Sequence, residues 1–122
     1  MSQRILVIED QEDNRRIVRD LFTSVGYEII EAVNGEEGVT AAAAHVPDLI
    51  LMDLQLPGID GYETTRQIKA NPHLQHIPII AVTSYALSGD DVKAYEAGCN
   101  GYISKPINKH TLFELIEKYV NK

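Results

Sequence analysis

Short, largely apolar runs alternate with longer amphipathic segments along the whole chain. Each run has four to six residues, which is typical of strands buried in a parallel sheet. The runs lie at positions 4–8, 27–32, 49–54, 78–82 and 101–104. Together they predict five strands.

The segments that follow the runs carry helix signals. Apolar residues recur at helical spacing from Ile17 to Val25, so we predict a first helix over Glu12–Val25 that Gly26 stops. Side-chain caps are predicted at the starts of the other four helices, at Asn34, Asp60, Ser88 and Asn108. Asn34-Gly35 is also compatible with a hairpin turn, but the alanines at 41–44 favour a helix there.

Five strand-then-helix units predict an α/β fold with a parallel sheet and helices on both faces. Parallel neighbours need crossover connections, and these crossovers are right-handed. A chain of 122 residues has the size of one domain. We therefore predict a single domain over residues 1–122.

Composition and charge narrow the functional classes. The apolar fraction of 44% is that of a globular protein, and the formal net charge of −7 argues against direct binding to nucleic acid or to an anionic membrane. Cys99 has no second cysteine to pair with, and no signal peptide or long apolar run is present. A cytoplasmic protein is expected.

The strand ends carry the candidate chemistry. Asp53 interrupts an apolar run, and a buried carboxylate is costly unless it is paired or bound to a metal, so the strand must end there. Open parallel sheets bind ligands beyond the carboxyl ends of their strands. The polar residues predicted at those ends are Glu9, Asp10, Asp53, Thr83 and Lys105.

Three clustered carboxylates would repel one another without a cation. Mg²⁺ resolves this conflict, since it binds through one or two carboxylates and completes its shell with water and phosphate oxygens. Thr83 offers a hydroxyl donor and Lys105 an ammonium suited to phosphate. The set predicts phosphoryl transfer to a carboxylate.

Four motifs at these strand ends resemble those of a known family. They are IEDQ at 8–11, LMDLQLPGIDG at 51–61, AVTS at 81–84 and YISKPI at 102–107. The chain resembles a bacterial two-component response-regulator receiver domain, most closely receivers that stand alone or occur in hybrid kinases. The resemblance implies a flavodoxin-like, doubly wound five-stranded parallel sheet in the order 2-1-3-4-5 with five helices, and no output domain.

The resemblance also implies a metal-assisted phosphorylation site. Asp53 would take a phosphoryl group from a sensor histidine kinase or a histidine phosphotransfer protein. Asp10, Asp53 and the backbone carbonyl of Gln55 would ligate Mg²⁺, with Mn²⁺ as a substitute, and Glu9 would act through water. Thr83 and Lys105 would bind phosphoryl oxygens.

Further roles follow from the same resemblance. Thr83 and Tyr102 would form the switch, although Tyr102 could instead be only a core aromatic. Lys105-Pro106 would be a cis peptide, and Gln55 and Tyr85 would tune the phosphoryl lifetime. The surface of the fourth helix, fifth strand and fifth helix would bind a downstream protein effector, in a signalling protein rather than a turnover enzyme.

Two other classes share parts of this pattern. A flavodoxin-like electron carrier needs a phosphate-binding loop after the first strand, whereas this loop reads EDQED and repels phosphate unless a metal intervenes. An aspartate-nucleophile phosphatase usually has a second aspartate two residues after its nucleophile, and here that position is Gln55. A degenerate receiver is disfavoured because all five strand-end residues are present.

Overall fold

Strands and helices alternate strictly in the computed structural model, which describes residues 3–83, 90–105 and 107–120. The strands are β1 (Arg4–Ile8), β2 (Glu28–Ala32), β3 (Leu49–Asp53), β4 (Ile79–Thr83) and β5 (Gly101–Ser104). The helices are α1 (Glu12–Thr23), α2 (Gly35–His45), α3 (Gly61–Lys69), α4 (Asp90–Ala97) and α5 (Lys109–Tyr119). Across the described ranges, no helix has both the length and the apolar character needed to cross a membrane.

All strand pairs are parallel, and the order is β2-β1-β3-β4-β5, as predicted. Side chains alternate between the two faces of each strand, so the sheet divides the core into two layers. One face packs against α1 and α5 through residues such as Val7, Leu51 and Val82. The other packs against α2, α3 and α4 through residues such as Ile8, Met52 and Ala81. This arrangement places β1, β3 and β4 at the centre of the fold.

Three of the four predicted helix caps are confirmed. The side chains of Asn34, Asp60 and Asn108 accept hydrogen bonds from backbone N–H groups three residues later, at 2.8, 2.9 and 2.8 Å. The cap at Asn34 makes the hairpin-turn alternative wrong. The predicted cap at Ser88 lies outside the described residues.

The predicted boundaries needed small corrections. Helix α1 ends at Thr23 rather than Val25, because Ser24 caps it and the chain then turns through Gly26, whose φ is 92°. Strand β3 ends at Asp53 rather than Leu54, and β4 starts one residue after Pro78. Proline lacks a backbone donor, and Pro78 contributes only its carbonyl, which accepts a 3.0 Å bond from Ile50.

Val46, at the end of α2, is the only non-glycine residue with a positive φ in the described part of the chain, with φ 45° and ψ 67°. A β-branched residue in this region is strained by about 1–3 kcal/mol. Val46 is 48% exposed, so its side chain contributes little packing. We expect Val46→Gly to raise the free energy of unfolding by about 1 kcal/mol, after the entropic cost of glycine. Urea denaturation measures this change. Val33→Gly, at an exposed position without positive φ, should instead lower stability, and equal effects of the two would contradict the strain.

Candidate functional site

The carboxyl ends of β1 and β3 bring three acidic side chains together. Oxygen atoms of Glu9, Asp10 and Asp53 lie within 4.8 Å of one another. Glu9 and Asp53 are only 5% and 3% exposed, whereas Asp10 is half-buried. Such a cluster can donate several oxygens to a hard divalent cation.

Lys105, just beyond β5, supplies the positive charge of the cluster. Its Nζ lies 2.5 Å from Glu9 Oε1 and 3.2 Å from Asp53 Oδ2. Its backbone N–H donates to the Thr83 carbonyl at 2.7 Å, which ties the end of β5 to β4. One ammonium faces three carboxylates, so the site carries excess negative charge and attracts a cation.

Burial, and after it the neighbouring charges, affect the ionisation of Glu9. Burial raises its pKa from 4.5 to about 7; the hydrogen bond from Lys105 opposes that shift, and Asp53 adds to it. Burial alone would lower the pKa of Lys105, but its contacts with Glu9 and Asp53 raise it overall. Lys105 therefore stays charged, and Glu9 is the carboxyl group on which a proton best relieves the repulsion.

Both oxygens of Asp53 are held. Oδ1 accepts a 2.9 Å hydrogen bond from the Gln55 backbone N–H, and Oδ2 contacts Lys105. The next residue, Leu54, donates its backbone N–H to the Val82 carbonyl at 3.1 Å. The carboxylate thus has a defined orientation at the end of a central strand.

Gly61, at the start of α3, ends the LMDLQLPGIDG motif and was interpreted from the sequence only as part of a turn, without a packing role. Its N–H donates to the Leu54 carbonyl at 3.1 Å, and a Cβ at this position would lie 2.5 Å from the Asp53 carbonyl oxygen. Only glycine permits this approach of α3 to the end of β3. The available signal was a glycine directly after a helix cap, but the sequence alone does not say what it approaches.

Some of the remaining predicted site residues lie within the described ranges and others lie outside them. Thr83 ends β4 and is 1% exposed, next to the strand that leads to Lys105. Tyr102 is half-buried and packs against the core layer of α2, α3 and α4. Its role as a switch stays a prediction, as does the metal-ligand role of the Gln55 carbonyl. Tyr85 and Pro106, and with Pro106 the predicted cis peptide, lie outside the described residues.

A cleft of about 410 Å³ lies beside the cluster, on the sheet face covered by α1 and α5. Glu9, Asp53 and Lys105 line it together with Ile17 of α1 and Ile107. Its volume is within the range of small-molecule sites. Asp53 therefore borders a space that a reactant can occupy, despite its burial.

Comparisons with known proteins agree with this geometry. A family model described as the response regulator receiver domain matches residues 5–117. The chain is 44% identical to the polar-differentiation response regulator DivK of Brucella anthropi over 120 residues, which cover 98% of both proteins.

Solved structures of a receiver domain and of a response regulator are also similar to this chain. The receiver domain of sensor histidine kinase PA1611 from Pseudomonas aeruginosa PAO1, crystallised with a magnesium ion coordinated in the active site cleft, is 34% identical with a TM-score of 0.92 over 100% of each chain. The Mn²⁺-bound form of response regulator Rcp1 is 30% identical with a TM-score of 0.78 over 95% of this chain and 90% of that one. The chain therefore belongs to the family of response regulator receiver domains, the phosphorylation-dependent switches of two-component signalling.

Proposed function

We propose that Asp53 is the phosphoacceptor of this receiver and that its phosphorylation switches partner binding. The observation that carries the proposal is the contact of Lys105 Nζ with Asp53 Oδ2 inside a cluster of three carboxylates. Asp53 suits this role better than its neighbours. Glu9 has a raised pKa that favours its neutral form, and the more exposed Asp10 lies in the loop before α1.

The acidic cluster fits a resident divalent cation, and the relatives support Mg²⁺ with Mn²⁺ as a substitute. Lys105 already occupies part of the cluster as a cation, which indicates that the site needs positive charge. Asp10, Asp53 and the Gln55 carbonyl would hold the ion, and Glu9 would contact it through water. When bound, the ion supplies neutralisation of the carboxylates and of the incoming phosphoryl oxygens.

The proposed transfer forms one bond and breaks one. A carboxylate oxygen of Asp53 attacks the phosphorus of a phosphohistidine, carried by a sensor histidine kinase or a histidine phosphotransfer protein. The P–N bond breaks and the imidazole nitrogen keeps the electron pair. Lys105 and the Thr83 hydroxyl each donate to a phosphoryl oxygen, so that positioning and charge stabilisation supply most of the catalysis.

Phosphorylation then changes the charge balance of the site. The new group adds about −1.5 to −2 charges. We propose that Lys105 and Thr83 shift toward it and that Tyr102 follows, which alters the surface made by α4, β5 and α5. Val92, Tyr95 and Phe113 are exposed apolar residues on α4 and α5, and they support docking of a downstream protein effector there.

In this proposal the chain is a signalling protein rather than a turnover enzyme. Its own chemistry is limited to accepting the phosphoryl group and losing it slowly to water. Gln55, which lies beside Asp53, and Tyr85 are where we propose that the lifetime of the phosphorylated state is set. Partners are proteins, and neither nucleic acid nor membrane is required.

Intact-mass spectrometry after incubation with acetyl phosphate tests the proposal. With Mg²⁺ present, we expect the protein to gain one phosphoryl group that hydroxylamine removes, because an acyl phosphate is a mixed anhydride that this nucleophile cleaves. EDTA should prevent the gain, since the carboxylates then stay uncompensated. Absence of labelling with Mg²⁺, or equal labelling in EDTA, would contradict the site. A flavin spectrum in the purified protein would favour the electron-carrier alternative.

A further inference from the structure

Arg15, on the first turn of α1, is a buried arginine behind the acidic cluster. It is 9% exposed, and charged side chains are seldom buried to this extent unless they are paired. Its Nη1 donates to the backbone carbonyl of Glu9 at 2.8 Å. Its Nε donates to Glu31 Oε1 at 3.2 Å, and its Nη2 donates to the Glu12 carboxylate. The guanidinium therefore joins the loop after β1 to β2 and α1.

The charge of Arg15 is balanced by two carboxylates that are not part of the acidic cluster, those of Glu12 and Glu31. Glu31 also pairs with Arg19 Nη1 at 2.9 Å, and Arg19 lies 3.7 Å from Glu12. Two arginines and two glutamates thus form a closed network along α1 and β2. Within it, the hydrogen bond to the Glu9 carbonyl is the link to the loop that carries Glu9 and Asp10.

That link restricts the peptide between the two acidic residues. The Glu9 N–H donates to the Ala32 carbonyl at 3.0 Å, so Glu9 is held through both its N–H and its carbonyl. The peptide unit from Glu9 to Asp10 is planar, so fixing its carbonyl also fixes the direction in which the chain enters Asp10. The relative orientation of the two carboxylates depends on this peptide together with Gln11, whose backbone N–H and side-chain amide donate to Glu9 Oε2 and Asp10 Oδ2, both at 3.2 Å.

We propose that Arg15 is a positioning residue that pre-organises Glu9 and Asp10 for a divalent cation, without touching the ion itself. The inference rests on the proposed function, because it assumes that the cluster binds Mg²⁺. Residues that orient metal ligands typically change metal affinity about 10–100-fold when they are removed. We therefore expect Arg15→Met to raise the Mg²⁺ dissociation constant about 10-fold or more.

Isothermal titration calorimetry with MgCl₂ tests this on three variants and the unmodified chain. Arg15→Met keeps most of the apolar stem and removes the donors. Arg16→Met is the matched control, because Arg16 is the next residue in the chain and its side chain is 59% exposed. Arg16 forms an exposed ion pair with Asp13, with an N–O distance of 3.5 Å. The dissociation constant of Arg16→Met should stay within about twofold of the parent value, as expected for an exposed pair. The Mg²⁺ dissociation constant of Arg15→Lys should lie between those of the parent and Arg15→Met, since one ammonium cannot replace the planar array of donors of a guanidinium.

A kinetic measurement separates a role of Arg15 in positioning the metal ligands from a general loss of folding or of phosphorylation. Labelling by acetyl phosphate should be slow in Arg15→Met at low Mg²⁺ and should reach the parent rate at saturating Mg²⁺. A defect that persists at saturation, or a dissociation constant equal to that of the parent, would overturn the inference. If Arg15→Met does not fold, Arg15→Lys decides by the same criterion. A parent protein that binds no Mg²⁺ would instead contradict the proposed function.

Discussion

Asp53→Asn should abolish phosphorylation while leaving the fold intact. The amide is close to the carboxylate in shape, but its nitrogen and neutral oxygen are poor nucleophiles for phosphorus. Asp53 is 3% exposed at the end of a central strand, and its backbone contacts do not depend on its charge. We therefore expect no phosphoryl adduct by intact mass with acetyl phosphate and Mg²⁺, and circular dichroism like that of the parent chain.

The stability of the same variant provides an independent check. In the metal-free protein, burial is the main cause of the raised pKa of Glu9, and Asp53 raises it further. Removing its charge leaves Lys105 to pair with Glu9 alone, so thermal unfolding in EDTA should occur at the same or a higher temperature. Loss of labelling then reflects chemistry rather than unfolding.

Asp13→Asn is the matched control for the phosphoacceptor. Asp13 is on the first turn of α1, and its side chain is 86% exposed. Its conversion should leave labelling unchanged, because it lies outside the cluster of Glu9, Asp10 and Asp53. Labelling of Asp53→Asn to the level of this control would assign the acceptor to another residue.

The sequence predicted the sheet and the strand-end chemistry because both follow from local patterns. Apolar runs that stop at a carboxylate or a hydroxyl define where the chain leaves the sheet, and parallel topology gathers those ends on one edge. Asp53 and Lys105 are 52 residues apart in sequence, and this rule places them at the same edge of the sheet, whereas their contact also depends on the strand order, which only the family resemblance predicted. The caps at Asn34, Asp60 and Asn108 were predictable for the same reason, since capping depends on one side chain and the next turn.

The roles of the residues that support the site could not be predicted from the sequence in the same way. Arg15 is buried on the face of α1 that also carries Val18 and Phe22, at helical spacing, and this pattern was the available signal. An arginine at such a position is normally assigned to solvent, and its acceptors, Glu31 on β2 and the Glu9 carbonyl, become apparent only in three dimensions. Gly61 is similar, because the Asp53 carbonyl that it approaches belongs to a different element.

The metal-free protein should lose stability as the pH rises from about 4.5 to about 7, through the ionisation of Glu9. The folded-state pKa of Glu9 is raised to about 7 from 4.5, chiefly by burial. Between these values the folded state binds more protons than the unfolded state, so stability falls with increasing pH. The stabilisation is fully present below about pH 4.5 and is lost as the pH passes the folded-state pKa.

Glu9→Gln isolates this contribution, because an amide keeps the neutral form at every pH. The unfolding free energy of the variant minus that of the parent should be constant below about pH 4.5 and should increase up to about pH 7. One pKa unit corresponds to about 1.4 kcal/mol, and partial access of water to the cleft reduces the effect, so we expect an increase on the order of 2 kcal/mol. Urea titrations in EDTA across this range measure it.

Two comparisons make the result specific to the cluster. Glu36→Gln, at an exposed position on α2 outside the acidic cluster, is the matched control and should not reproduce the increase seen with Glu9→Gln. Saturating Mg²⁺ should remove or reverse the gain in unfolding free energy of Glu9→Gln over the parent above pH 7, because a bound cation favours the ionised carboxylate. A flat difference for Glu9→Gln in EDTA would mean that Lys105 alone compensates the buried carboxylates. The cluster would then have no unmet need for a cation, and the electrostatic basis for metal binding at this site would be lost.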